Sequence, residues 1–363
     1  MARGPSDSYQ RFAVRLHSLW NEDLHTRHVE GGDRHQIDNK IFSPGLEMPL
    51  EACVVGSIEP AGLGGTVTRP RRRVAATYKD AFAYSELYDC AQALRLAERS
   101  YALEPRSCNV AHSITHALFE SGDHDAGASF LEGWLSDSPW QRGYDSHLAW
   151  HLALDELDRG NTQRSMQLYE KRLRPDVHPG VQLIVLSDAA SLLWRWKVLG
   201  LQPPIDAARA VSDYAAARVP RAGQAFADVH RAMVLALADE HQTLDTLAAE
   251  TQRLTEAGRL AAGPVVPAAI RAFGAFARGA FREAADLLEP HTPDFVRVGG
   301  SHAQFEVLED TLIAACMHSL RYERAALLLE ERLLRRPSRR DAMWLKEMRS
   351  RASPHNAPDN RLN

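Results

Sequence analysis

Residues 109–173 decide the fold of this chain, because they hold two similar pairs of helix-forming segments. The first pair reads NVAHSITHALFES (109–121) and HDAGASFLEGWLS (124–136), separated by a Gly–Asp turn. The second pair reads DSHLAWHLALDELDR (145–159) and TQRSMQLYEKRL (162–173), separated by a Gly–Asn turn. Apolar residues recur at helical spacing in each segment, and Gly and Pro mark the ends. The stretch therefore predicts two consecutive helical hairpins.

Helix pairs of this kind continue on both sides of that stretch. On the N-terminal side, TYKDAFAYSELY (77–88) is followed by DCAQALRLAERSYALE (89–104). On the C-terminal side we expect helices at 182–199, 204–217, 224–239, 242–257, 264–278, 281–289, 301–319 and 322–335. The pairs recur about every 35 residues, close to the length of a tetratricopeptide unit, and no segment of useful length alternates as a strand does. We therefore predict an all-α fold, a right-handed superhelical α-solenoid of tetratricopeptide-like helix pairs.

The two ends of the chain lack this helical pattern. Residues 1–76 are rich in Gly, Pro and other turn-forming residues, and we expect them to be divergent and partly disordered, apart from an amphipathic segment at 9–24. Residues 352–363 have the composition of a disordered tail. The solenoid is therefore expected to span 77–351, and its Arg-rich last part, 321–351, is expected to form the capping helix pair.

The composition excludes several classes of protein. The chain has 363 residues, of which 45% are hydrophobic and 25% charged, and its formal net charge is −4. That charge disfavours a dedicated nucleic-acid binder, and no run approaches the roughly 20 apolar residues of a membrane span. The four cysteines are scattered, without a CxxC pair, and the first residues lack the apolar core of a secretory signal. We therefore expect a cytoplasmic protein with neither a nucleic-acid nor a membrane partner.

Four histidines occupy matching positions in the two hairpins. Two lie four residues apart in HSITH (112–116) and two in HLAWH (147–151), so that each pair shares one helix face. Converging imidazoles suit a transition metal such as Zn, Fe or Cu. The candidate metal ligands are His112, His116, His147 and His151. The alternative is a set of hydrogen-bonded core or groove histidines, and neither phrase carries the Glu of an HExxH zinc protease.

Further polar residues of the helical region are candidates for lining a ligand groove. Asp188 lies in an apolar segment and needs a partner, for which Arg195 or a groove histidine is available. Ser301 and Gln304 have the spacing of a capping box, so that helix initiation alone explains their presence. The candidate groove residues are Asp188, Asp228, His230, Ser301, His302 and Gln304.

Several phrases within 81–336 resemble those of the tetratricopeptide repeat protein 38 family. They are AHSITHALFESGDHDAG, SHLAWHLALDELDRGNTQRSMQLYE, LSDAASLLWRWKVLG, FADVHRAM and GGSHAQ. The resemblance implies a superhelix of helix pairs, and it implies that the four histidines share one polar site with the Asp-x-His of 228–230 and with the phrase at 299–304. Family members commonly continue that phrase with Arg-Asp, where this chain has Phe305 and Glu306, so that an arginine suited to clamping an anion is absent.

Two functions are compatible with these patterns. Helical repeat arrays mostly bind other molecules, so the first is a binding or scaffold protein whose histidine-rich concave groove recognises a peptide, a protein partner or a small ligand. The second is a metal-binding protein or metal-dependent enzyme that uses the four histidines to hydrolyse or oxidise a small molecule. No nucleophile–base motif and no phosphate-binding loop is visible, and we therefore favour the binding interpretation over an enzyme.

Overall fold

The structure, a computed structural model, describes residues 69–137 and 144–352, with side chains from Thr77 onwards. All regular structure within these ranges is helical, which confirms the predicted all-α fold. The α-helices are α1 (Arg69–Glu86), α2 (Cys90–Leu103), α3 (Cys108–Ser121), α4 (His124–Asp137), α5 (Tyr144–Asp158), α6 (Thr162–Leu168), α7 (Gln182–Val198), α8 (Ile205–Arg218), α9 (Ala225–Leu237), α10 (His241–Glu256), α11 (Val265–Ala277), α12 (Phe281–Leu288), α13 (His302–His318), α14 (Tyr322–Arg335) and α15 (Arg339–Ala352). A π-helical turn, Tyr169–Leu173, extends α6, and a 3-10 segment, Glu289–Val298, follows α12.

The predicted helices are found with nearly the predicted bounds. The largest difference is at α1, which begins at Arg69, inside the segment expected to be irregular. The amphipathic segment expected at 9–24 and the tail beyond Ala352 lie outside the described residues. In the part of the chain that the structure describes, no helix combines the length and the apolar character needed to cross a lipid bilayer.

Helix α3 shows how the local sequence sets a helix and its neighbours. The Ser107 side chain caps its start by accepting a hydrogen bond from the backbone N–H of Val110 at 3.5 Å. Gly122 ends it in the left-handed conformation, with φ of 75°. A Cβ atom at this glycine would lie 2.2 Å from the carbonyl oxygen of Pro337. The turn after α3 therefore requires glycine both for its backbone angle and for its contact with the C-terminal helices.

The first helices of successive pairs pack on one another. Helix α3 contacts α5, α5 contacts α7, α7 contacts α9, α9 contacts α11, and α11 contacts α13. Helix α13 also returns to α7, where the Trp194 indole N–H donates to the Thr311 hydroxyl at 2.8 Å and the Arg195 guanidinium donates to the Ala303 carbonyl at 2.6 Å. This return brings the C-terminal helices against the N-terminal pairs and buries almost the whole of α7.

The C-terminal helices are held together by buried ion pairs. Arg332, on α14, is 2% exposed and donates to Asp310 of α13 at 2.8 Å and to Asp341 of α15 at 2.6 and 2.7 Å. Although Asp341 is buried, the charges of Arg332 and Arg340 lower the pKa of its carboxyl to about 2. The Arg-rich segment expected to cap the solenoid with a polar face thus also supplies interior cations.

We expect Arg332→Met to lower the free energy of unfolding by about 3–5 kcal/mol, because Asp310 and Asp341 each lose one of the interior cations that pair with them. Urea denaturation followed by circular dichroism measures this difference. Arg349→Met is the matched control, since Arg349 is mostly exposed and its pair with Glu330 is worth at most about 1 kcal/mol. Equal losses in the two variants would contradict the assignment.

Candidate metal centre

The four histidines predicted from the sequence meet between α3 and α5. His112 and His116 lie on α3, and His147 and His151 lie on α5, so the packing of these two helices brings the pairs face to face. Their exposed fractions are between 0% and 4%, which places the four imidazoles in the protein interior. We call these four residues the histidine cluster.

The nitrogen atoms of the histidine cluster lie closer together than hydrogen bonding alone explains. Nε2 of His112 lies 3.0 Å from Nε2 of His116. It also lies 3.2 Å from Nε2 of His147 and 3.2 Å from Nε2 of His151. An imidazole nitrogen offers either one N–H or one lone pair, so these three contacts cannot all be hydrogen bonds. Tetrahedral ligands at about 2.0–2.1 Å from a zinc ion lie about 3.3 Å apart, close to the spacing seen here.

The outer nitrogen of His147 is fixed by a carboxylate. Its Nδ1 lies 3.0 and 3.1 Å from the two oxygens of Asp188, on α7, and Nε2 of His178 lies 3.4 Å from the same carboxylate. Burial opposes the charge of Asp188, but His147 and His178 outweigh it and hold the pKa of this carboxyl below its usual range. An Nδ1–H directed at Asp188 leaves the Nε2 lone pair of His147 facing the cluster, as in metal sites whose histidines are oriented by carboxylates. Of the two kinds of partner expected for Asp188, Arg195 or a histidine, the structure places histidines against the carboxylate.

Polar groups also meet the outer nitrogens of both α3 histidines. Nδ1 of His112 lies 3.2 Å from the hydroxyl of Tyr144, and Nδ1 of His116 lies 3.6 Å from Oε1 of Glu86. Nδ1 of His151 has no hydrogen-bond partner among the described residues. A carboxylate or a hydroxyl thus lies within hydrogen-bond distance of Nδ1 in His147 and His112, and a carboxyl group lies near Nδ1 of His116.

Aromatic side chains enclose the histidine cluster. Phe82 lies edge-on to His116, with ring centroids 4.7 Å apart, and Trp150 stacks on His147 at 5.4 Å. Burial lowers the pKa values of His112, His116 and His151, and the neighbouring imidazoles lower them further. These three rings are therefore neutral at physiological pH, which is the form that binds metals.

His302 lies beside the histidine cluster rather than in it. The return of α13 places its imidazole against the turn that follows α1, where it stacks on Tyr88 at 4.6 Å and its Nε2 lies 3.2 Å from the Tyr88 hydroxyl. One donor atom from each of Glu86, Glu120 and His302 lies within 4.8 Å of the others. Burial and the neighbouring Glu120 raise the pKa of Glu86, and burial raises the pKa of Glu120 to about 8 against the opposing charge of Arg336.

The other predicted groove residues have local partners. Asp228 accepts hydrogen bonds from the backbone N–H of Gly223 at 2.8 Å and from Arg231 at 3.3 Å. The Gln304 side chain accepts from the backbone N–H of Ser301 at 3.0 Å, which confirms the expected capping pattern. All six residues of the set are buried, with exposed fractions of 0% to 6%. Asp188 and His302 therefore join the surroundings of the histidine cluster, and a ligand groove lined by the set stays a prediction.

Glu306 and Phe305, which stand where the resembling family has Arg-Asp, contact the same region. Phe305 lies edge-on to His302 at 5.3 Å, and the Glu306 carboxylate is bound by Arg336. Despite burial, Arg336, Arg332 and Arg340 hold the pKa of Glu306 below its usual range. In this chain Glu306 therefore provides a carboxylate that binds interior arginines.

The chain matches no model of a known protein family. The resemblance to the tetratricopeptide repeat protein 38 family therefore stays a prediction. The geometry of the buried histidines and carboxylates is what carries the functional conclusion.

We expect His230 to make the protein less stable in acid. Its Nδ1 lies 2.7 Å from the Phe226 carbonyl, and burial lowers its pKa to about 4. Because the folded-state pKa lies below the ordinary value, the unfolded chain takes up the proton first, so this stability is complete above about pH 6.5 and is lost as the pH falls.

Urea denaturation at pH 7.5 and pH 4 tests this expectation. Over that interval the wild type should lose about 3 kcal/mol more free energy of unfolding than His230→Gln. His241→Gln, which replaces an exposed histidine, should keep the wild-type dependence. Identical pH dependence in the wild type and His230→Gln would show that burial does not depress this pKa.

Proposed function

We propose that the protein binds a transition-metal ion through the histidine cluster. The observation that carries the proposal is the position of Nε2 of His112, which lies 3.0–3.2 Å from three other imidazole nitrogens. Since each Nε2 of a neutral ring offers either one N–H or one lone pair, these contacts cannot all be hydrogen bonds, and a cation among the nitrogens would convert the remaining lone-pair contacts into coordination. Donor atoms of His112, His116 and His151 lie within 4.8 Å of one another and form the core of the site. His147, whose Nε2 lies 3.2 Å from that of His112, is the fourth ligand of the proposal.

The ligand set favours zinc or copper over magnesium or calcium, because imidazole nitrogens suit late first-row metals and the harder cations prefer oxygen ligands. The positive charge of the ion would be balanced by carboxyl groups that contact the histidines without binding the ion. The Asp188 carboxylate contacts His147, and that of Glu86 approaches His116. Such outer carboxylates orient metal-bound histidines and raise their basicity.

Enclosure of the histidine cluster favours a structural role for this ion. Phe82, Tyr144 and Trp150 surround the rings, and the four histidines are at most 4% exposed. Structural zinc sites are closed, whereas catalytic sites keep an open position for water or substrate. An ion here would join α3 to α5 and so fix one helix pair to the next.

We further propose that the helix pairs are tetratricopeptide-like units stacked as a right-handed α-solenoid. The support is the contact of each first helix with the next, together with the recurrence of pairs at about the tetratricopeptide length. Recognition of a peptide or small ligand, which such arrays commonly perform, takes second place, since the residues expected to line its groove are interior.

Metal analysis of purified, untagged protein tests the main proposal. We expect about one equivalent of zinc or copper in the wild type and loss of most of it in His112→Ala and in His151→Ala. His241→Ala, which removes an exposed histidine, is the matched control and should keep the metal. Wild-type protein that remains metal-free after incubation with each ion and removal of excess would overturn the proposal.

The carboxylate behind His147 should tune the site without binding the ion. We expect Asp188→Asn to weaken metal affinity by about 10–100-fold, because the amide no longer stabilises the Nδ1–H of His147 as a charge does. Competition with a chromophoric chelator measures the dissociation constant. Asp228→Asn replaces another buried carboxylate, one bound to Gly223 and Arg231, and should leave the affinity unchanged.

A further inference from the structure

Glu86, Glu120 and His302 form a second group of metal-ligating side chains, which we call the Glu–His group. They come from the end of α1, the end of α3 and the start of α13, and the return of α13 onto α7 brings them together. Nδ1 of His302 lies 3.5 Å from Oε2 of Glu86 and 3.7 Å from Oε1 of Glu120. These separations exceed a hydrogen bond and are close to the spacing of ligands around one small cation.

The contacts around the group direct its donor atoms inward. When Nε2–H of His302 donates to the Tyr88 hydroxyl at 3.2 Å, Nδ1 carries the lone pair that faces the two carboxyl groups. The backbone N–H of His302 donates to Oε2 of Glu86 at 3.1 Å and holds that carboxyl in place. Glu120 is 2% exposed, and its Oε1 has no hydrogen-bond partner among the described residues. This buried oxygen of Glu120 faces an imidazole nitrogen and a second carboxyl group. A cation between the three groups would bind all of them.

A small cavity adjoins the group. It has a volume of about 20 Å³, enough for one water molecule, and its walls include Glu120, His302 and Phe305. Three arginines on its other walls are already bound to carboxylates: Arg336 contacts Glu306, Arg335 donates to Glu309 at 2.6 Å, and Arg332 donates to Asp310 and Asp341. The cation position therefore faces a polar pocket in which nearby positive charges are paired.

We propose that Glu86, Glu120 and His302 bind a second divalent cation, with the cavity holding a water molecule on it. Two carboxylates and one imidazole form a mixed oxygen–nitrogen set that suits Mn²⁺, Fe²⁺ or Zn²⁺. Three protein ligands and an exchangeable water are the composition of a catalytic site, in contrast to the closed histidine cluster. The inference of a cation at the Glu–His group uses only the residues of that group. Only the contrast between the two sites rests on the proposed function.

Binding of Mn²⁺ to the purified full chain tests this second site. Protein stripped with chelator receives one equivalent of Zn²⁺ for the histidine cluster, and Mn²⁺ is then titrated while the EPR signal of free Mn²⁺ is recorded. We expect the wild type to bind about one Mn²⁺, and Glu120→Gln to bind it at least about tenfold more weakly. Glu156→Gln is the control, because Glu156 is a buried glutamate bound by Arg159 and Asn161 and lies outside both the group and the cavity lining, and it should bind within about twofold of the wild type.

Two further measurements separate the outcomes. His112→Ala with His151→Ala should lose the zinc of the first site and keep Mn²⁺, so failure of one site leaves the other testable. Pulsed EPR of bound Mn²⁺ should show coupling to an imidazole nitrogen that disappears in His302→Gln. Absence of Mn²⁺ binding by the wild type, absence of the nitrogen coupling, or equal affinity of the wild type and a folded Glu120→Gln would overturn this inference.

Discussion

The return of α13 onto α7 is the contact on which the rest of the structure depends. The Trp194–Thr311 and Arg195–Ala303 hydrogen bonds join helices that are far apart in sequence. A stack of helix pairs without this contact would present the shared face of its first helices as an open groove. Here α13 covers that face at α7, and Phe82 and Trp150 enclose the histidine cluster, so the polar residues that a groove would expose to water are interior instead.

Burial changes what these polar residues contribute. An interior polar group without a hydrogen bond costs about 1–3 kcal/mol, and an apolar side chain of the same shape avoids that cost. The histidine cluster places three short N···N contacts on one nitrogen of His112, and Glu120 keeps an oxygen without a hydrogen bond. The interior ion pairs of Arg332 are satisfied by contrast. Polar contacts that hydrogen bonds do not satisfy are thus found where metal-ligating atoms converge, and a bound cation would satisfy them.

The helices and the histidine pairs could be predicted because their signals are local. Gly and Pro mark the helix ends, and the i, i+4 spacing within each of two consecutive hairpins placed His112, His116, His147 and His151 on facing helices. Asp188 could be identified as needing a partner because it is a carboxylate in an apolar helix.

The Glu–His group could not be predicted, because Glu86 and His302 lie in distant parts of the chain. Glu86 ends α1, and in the sequence it is one acidic residue among many; only the return of α13 gives it His302 as a neighbour. The same long-range contact decides whether the polar face of the first helices is buried. The sequence pattern therefore shows which residues share that face, but not whether the face is exposed to water. The sequence shows that Phe305 and Glu306 replace the Arg-Asp of the resembling family. Their contacts with His302 and Arg336 depend on the tertiary structure and could not be predicted.

Glu86 makes the two candidate sites physically dependent on each other. Its Oε1 faces Nδ1 of His116, and its Oε2 faces Nδ1 of His302, so one carboxyl group lies between a ligand of the first site and a ligand of the second. A metal on Nε2 of His116 leaves the proton on Nδ1, where it faces the Glu86 carboxylate, and this interaction raises the basicity of the ring. A cation on the Glu–His group withdraws charge from the same carboxylate. With a cation in both proposed sites, the ionisation of Glu86 would be shared between them through this single side chain at the end of α1.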